Sequence, residues 1–206
     1  RMTIIEIRHG KRKNRSMGYT GGLYRLNDKN RAIGEMFSRI APRYDLLNRV
    51  LSAGIDRRWR RAAVAEMAPA AGGRHLDLAT GTADMALEIL RQKGEAASVA
   101  GVDLSVEMMR IGLAKCAKAG RAAGVSFVRA PGESLPFRDA SFDSACIAFG
   151  IRNVADRALG LSEMCRVVRP GGRVVVLEFS VPDGAVLGSL YRFYFTRVLP
   201  WIGGMV

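Results

Sequence analysis

Asp77, Gly81, Thr82 and Asp84 stand close together, and Asp103 follows Gly81 by 22 positions. Carboxylates, a hydroxyl and a glycine at this spacing suit the binding of a polar small molecule. The elements that would hold them are legible nearby. A short apolar strand from His75 to Ala79 runs into a tight turn at Gly81. A helix then opens at Asp84, with Met85, Ala86, Ile89 and Leu90 on one face. Strand, glycine turn and helix is how an open α/β sheet receives a nucleotide-like ligand at the carboxyl ends of its strands. Gly81 lets the backbone approach the ligand because no Cβ intervenes. The plainer alternative is an ordinary strand–turn–helix with a core-side glycine.

Two ligand readings compete. A dinucleotide needs three glycines spaced G-x-G-x-x-G and a bare helix N-terminus for its pyrophosphate. Here there is one glycine, and Asp84 stands where the anion would sit. A cationic ligand is better matched, and S-adenosylmethionine carries a sulfonium and an ammonium but no phosphate. Asp103, ending the second strand, is then the candidate for the ribose hydroxyls. A helix N-cap is its other reading, for which Ser105 is the better candidate. Thr82 and the backbone at Gly81 would line the methionine part, and Pro131-Gly132-Glu133 would pass beside the adenine. Phe149-Gly150-Ile151-Arg152-Asn153 marks where a substrate would meet the methyl donor.

Composition bounds the rest. A chain of 206 residues, 49% hydrophobic and 25% charged, can bury one good core. The apolar runs are too short to span a bilayer. Cys116, Cys146 and Cys165 form no CxxC pair and read as small buried residues, which suits a reducing, cytoplasmic setting. With His9 and His75 as the two histidines, no metal site is expected. The net charge of +13 is concentrated at the start: residues 1–31 hold nine Lys or Arg against Glu6 and Asp28. Such a basic leader can meet an anionic surface but is more often solvated, so no nucleic-acid partner is expected. Residues 1–30 lack a sustained period and read as a poorly ordered leader.

From Arg31 a helical period appears at Ile33, Met36, Phe37, Ile40, Tyr44, Leu47, Val50 and Leu51. Pro42 interrupts it, predicting two helices or a kink. A basic helix follows through Trp59 to about Met67. The remainder alternates: strands at 74–79, 98–104, 125–130, 142–149 and 173–179, and helices at about 83–93, 105–120 and 156–168. Arg169-Pro170-Gly171-Gly172 forms the turn into the last strand. Strands rich in Val, Ile and Leu, joined by helices, predict a mainly parallel sheet covered on both faces.

Several segments together resemble the ubiquinone and menaquinone biosynthesis C-methyltransferases, within the class I S-adenosylmethionine-dependent group. These are Met36 to Asn48, Asp77 to Asp84, Gly101-Val102-Asp103, Glu133-Ser134-Leu135-Pro136-Phe137, Phe149 to Val154 and Leu177-Glu178-Phe179-Ser180. The resemblance spans residues 31–206, with residues 31–68 as a helical cover. It implies a Rossmann-like methyltransferase fold whose last two strands are missing from this chain. Cofactor contacts are implied at Thr82, Asp103, Pro131, Gly132 and Ala148, beside Asp77 and Gly81. Three positions depart from the family pattern: Ala83 replaces a second glycine, Pro131 a polar residue beside adenine, and Ala148 a serine.

The implied reaction methylates a ring carbon of a demethylated polyprenyl quinol, benzoquinol or naphthoquinol, and leaves S-adenosylhomocysteine. Arg152 would stabilise the phenolate, Asn153 orient the hydroxyl, and Tyr44 or Asp45 relay the proton. Residues 186–202 would cover the sheet or touch the polyprenyl tail, and a peripheral membrane contact and a homo-oligomer both suit the reading. With the terminal hairpin missing, strand 173–179 is expected to be an open sheet edge that recruits another chain. Other functions compatible with the segments are a non-catalytic S-adenosylmethionine-binding protein, a methyltransferase for another small molecule, and a nicotinamide oxidoreductase, which the single-glycine turn disfavours.

Overall fold

The computed structural model describes residues 2–8, 27–52, 54–67, 72–94 and 96–179. Six strands form one sheet: β1 (Met2–Arg8), β2 (Gly73–Leu78), β3 (Ala97–Asp103), β4 (Val125–Arg129), β5 (Phe142–Ala148) and β6 (Val168–Phe179). Their spatial order is β1-β6-β5-β2-β3-β4. All neighbours are parallel except the antiparallel β1–β6 pair. The helices are α1 (Asp28–Leu51), α2 (Asp56–Glu66), α3 (Asp84–Lys93), α4 (Val106–Lys118) and α5 (Arg157–Val167).

Period-two alternation sorts the side chains of each strand onto two cores. On β6, Val175 and Leu177 join a cluster with Ala63 and Val64 of α2 and Met85, Ala86, Ile89 and Leu90 of α3. Val174 and Val176 face the other way, onto Leu76, Ile147 and the α5 residues Met164 and Val167. Helices therefore cover both faces, and the fold is the expected Rossmann-like one. No helix of the described residues is long and apolar enough to cross a membrane.

Three expectations change. Met2–Arg8 are not a poorly ordered leader but a strand, whose Thr3-Ile4-Ile5 run is β-branched. That strand also corrects the expected open edge: Met2 to Arg8 pair in register with Phe179 to Arg173. Ile4 packs onto one core and Ile7 onto the other, while Glu6 and Arg173 form an ion pair at 3.1 Å. Of the rest of the leader, 27–30 are described, and Asp28 to Asn30 open α1; residues 9–26 and segment 186–202 lie outside the described residues. Finally, Pro42 lies inside one continuous helix rather than between two. Contacts on both sides of the proline offset its missing backbone bond: Ser38 lies against α4, Ala41 is buried, and Asp45 is tied to Thr82 and Lys115.

Candidate functional site

The site lies across the carboxyl ends of β5, β2, β3 and β4, where a doubly wound sheet leaves its crevice. Asp103 ends β3. One of its carboxylate oxygens accepts from the Gly81 N–H at 2.8 Å and the other from the Ser105 N–H at 2.9 Å. Burial raises the Asp103 pKa, against the bonds from Ser105, Gly81 and Leu104 that lower it. Ser105 itself caps α4, its side chain accepting from the Met108 N–H, so the N-cap is Ser105 as the sequence suggested.

Above these strand ends lies α1. Gly34 packs on Leu104, and a Cβ there would lie 3.2 Å from the Leu104 oxygen. Ser38 Oγ is 2.8 Å from Ser105 Oγ and 2.8 Å from a Glu107 oxygen. Lys29 Nζ donates to the Ala155 carbonyl at 3.1 Å, and the Tyr44 ring lies over the Gly81 turn. Between helix and sheet is a chamber of about 630 Å³, counting the part open to solvent. Its walls include Phe37 and Tyr44 of the helix, Gly81, Asp103, Gly132, Ala148 and Asn153.

Ala79, at the end of β2, and Phe149, just beyond β5, hold left-handed φ angles of 53° and 57° on the chamber wall. Such conformations are uncommon outside glycine and cluster at ligand sites. Ala83, where the family's second glycine is expected, also sits at φ 65°. It fits because Gly112 of α4 has no side chain: a Cβ there would be 3.0 Å from Ala83 Cβ and 3.2 Å from the Thr82 carbonyl carbon. Gly112→Ala is therefore expected to destabilise the fold by about 1–3 kcal/mol. Ala83→Gly should gain about 1 kcal/mol and soften that penalty in the double variant. Urea unfolding of the four proteins checks the coupling.

A smaller space adjoins the chamber, lined by Tyr44, Arg60, Asp77, Thr80, Thr82 and Asp84. Asp77 is buried beneath it, accepting from Thr80 Oγ1 at 2.7 Å and from Cys146 Sγ at 3.5 Å. Burial pushes its carboxyl up to about 6, against those two bonds. Between pH 4 and 6 the folded chain thus holds a proton that the unfolded chain has released. Stability contributed by this group is present below pH 4 and lost as pH rises to about 6, a fall of roughly 3 kcal/mol. Unfolding free energies at pH 4 and pH 7 should show that fall to be missing in Asp77→Asn. Equal pH dependence in both proteins would contradict it.

The structure revises other candidates. Asp84 does head α3, but its charge is not free to attract a cation. Lys115 hydrogen-bonds it, and Arg60 lies 3.6 Å away. Thr82 lines the smaller space and donates to Asp45 at 2.6 Å. For Asp45, burial acts to raise the pKa, but the bonds from Thr82 and Lys115 prevail and lower it. An ionised carboxylate held by two partners is poorly placed to pass a proton. Tyr44 has its pKa raised by burial, so it keeps its proton at neutral pH. Pro131 is buried and off the chamber wall, between Ala130 and Gly132 on it. Arg152 is off the wall as well, 2.9 Å from Glu178, while its neighbour Asn153 lines the chamber.

Residues not anticipated as site residues include Asn30, Phe37, Met108 and Arg60. Arg60 is buried, 3.4 Å from Asp56, with its guanidinium 5.3 Å from the Phe149 ring centre.

Comparison with known proteins follows the same lines. Residues 25–206 match the family model described as the ubiE/COQ5 methyltransferase family. The chain is similar to a ubiquinone/menaquinone biosynthesis C-methyltransferase UbiE of Geobacter sulfurreducens. The two are 55% identical over 183 residues, which are 89% of this chain and 72% of the relative. A demethylmenaquinone methyltransferase of Deinococcus radiodurans is 48% identical over 179 residues, 87% of this chain and 73% of that one. Among solved structures, a SAM-dependent methyltransferase from Aquifex aeolicus shares the fold with a TM-score of 0.55 at 21% identity. That match covers 61% of this chain and 66% of the other.

Proposed function

The chain belongs to the ubiE/COQ5 methyltransferase family, and we propose that it methylates a ring carbon of a demethylated polyprenyl quinol with S-adenosylmethionine as donor. The observation that carries this reading is the chamber at the strand ends, with Asp103 at its floor and Tyr44 above Gly81. The site fits the cofactor chemically. Asp103 offers spare carboxylate lone pairs for ribose hydroxyls. Leu104, Met108 and Ala130 offer apolar surface for a flat base. Asp77 and Arg60 place both charge signs where an amino-acid end carries both.

When bound, S-adenosylmethionine supplies an electrophilic methyl group. The protein's share is to orient the ring carbon toward that methyl, which can provide much of the acceleration. A ring carbon becomes nucleophilic as the adjacent hydroxyl releases or shares its proton. Asn153 orients that hydroxyl from the chamber wall. Arg152, one residue before it in the turn Ile151–Asn153, stabilises the developing phenolate, and Glu178 holds its guanidinium. Tyr44, protonated, donates from the helical side. The polyprenyl tail is the ground for a cytoplasmic protein that meets the membrane peripherally.

Calorimetric titration with S-adenosylmethionine, S-adenosylhomocysteine and NADH tests the cofactor assignment. Binding of the first two and not the third is expected, and NADH binding alone would overturn it.

A further inference from the structure

Asn30 is buried, at 3% exposure, on the chamber wall. Its side-chain Oδ1 has no hydrogen-bond partner among the described residues. A buried acceptor left unpaired is costly, and native structures contain few. A donor, N–H or O–H, on a molecule held in the chamber would satisfy it.

The course of α1 says which end of the ligand that is. Tyr44 lies over the Gly81 turn, Gly34 on Leu104, and Lys29 reaches Ala155. Asn30 and Tyr44 are 14 residues apart on one helix, so roughly 21 Å separates them along its axis. With ribose at Asp103 and the amino-acid end under Tyr44, the far end beneath Asn30 is left for the base. Gly132, Glu133 and Val154 line the chamber with it, and Glu133 already accepts from the Asp156 N–H at 3.0 Å. Adenine presents an exocyclic amine on its edge, with an acceptor ring nitrogen beside it. A carboxamide matches that pair: its oxygen accepts from the amine while its NH₂ donates to the ring nitrogen. Position 131, where the family resemblance implied a polar residue beside adenine, holds a proline with no N–H or polar side chain.

We propose that Asn30 reads the exocyclic amine of the adenine from the helical cover, supplying the polar contact that Pro131 cannot. This assignment rests on S-adenosylmethionine being the cofactor and makes Asn30 a specificity-determining residue for it.

The test titrates S-adenosylhomocysteine and its analogue with hydrogen in place of the 6-amino group into the wild-type chain, Asn30→Leu and Asn30→Asp. The wild type should prefer the amino form by about tenfold or more, the cost of leaving a buried acceptor unpaired. Asn30→Leu should bind both ligands alike, and Asn30→Asp, which keeps an acceptor, should retain the preference. Should Asn30→Leu not fold, the wild-type preference and its retention in Asn30→Asp still decide. A wild type indifferent to the amine would overturn the assignment, as would a preference that persists in Asn30→Leu. Binding of neither ligand by the wild type would overturn the cofactor reading itself, and this assignment with it.

Discussion

Asp103→Ala is expected to weaken S-adenosylhomocysteine binding by at least about a hundredfold, since charge-assisted bonds to two ribose hydroxyls contribute roughly 1.5–3 kcal/mol each. The carboxylate is already fixed from behind by the N–H groups of Gly81 and Ser105, so its remaining lone pairs are held in place before the ligand arrives. Pre-organisation of this kind reduces the entropic cost of binding. The same bonds mean that alanine also detaches the glycine turn from the tip of β3. Stability should therefore fall together with affinity. Asp103→Asn separates the two effects, because one amide oxygen can still accept from a backbone N–H while the charge is gone. Calorimetry on both variants, with urea unfolding to establish the folded fraction, reads the result. Unchanged affinity in a folded Asp103→Ala would remove Asp103 from the ribose site.

Arg152→Lys is expected to lower turnover on a quinol by about a hundredfold or more while leaving S-adenosylhomocysteine affinity in place. Guanidinium is a planar fork that can meet Glu178 and a developing phenolate together; an ammonium is a point charge on a flexible stem. The loss should appear in kcat and not only in KM, since the interaction strengthens as charge develops on the oxygen. Arg152 cannot itself serve as general base at neutral pH. A variant with normal kcat and weakened cofactor binding would place Arg152 at the donor instead.

The sequence carried β2 to β6 and their helices because buried parallel strands leave near-continuous Val, Ile and Leu runs with glycine or proline between them. Ser105 was legible as a cap for a local reason, its hydroxyl meeting an N–H three residues on. Strand β1 was not legible: seven residues beginning at Met2 acquire their partner from residues 173–179, at the far end of the sheet. No local period encodes a pairing of that range. Pro42 misled in the same way, since the contacts that keep α1 continuous come from α4 and the Gly81 turn. Within the site, Gly81, Asp103, Gly132, Ala148, Asn153 and Tyr44 stand on the chamber wall. Asp84 looked like an uncompensated charge because its cations, Arg60 and Lys115, come from two other helices. One signal for Asn30 was present: Asn30, Ile33, Phe37 and Tyr44 recur at three, four and seven. A polar residue continuing an apolar stripe by one turn is either a helix end or a ligand contact. Its burial, at 3% exposure, depends on tertiary packing.

Transfer of the methyl group itself tests the account most directly. The chain is incubated with S-adenosylmethionine labelled in its methyl group and with a demethylated polyprenyl quinol, as naphthoquinol and as benzoquinol in separate reactions. The predicted result is one labelled methyl on a ring carbon of at least one quinol, with S-adenosylhomocysteine formed in equal amount. A folded chain that binds S-adenosylmethionine and transfers no label to either quinol would contradict it.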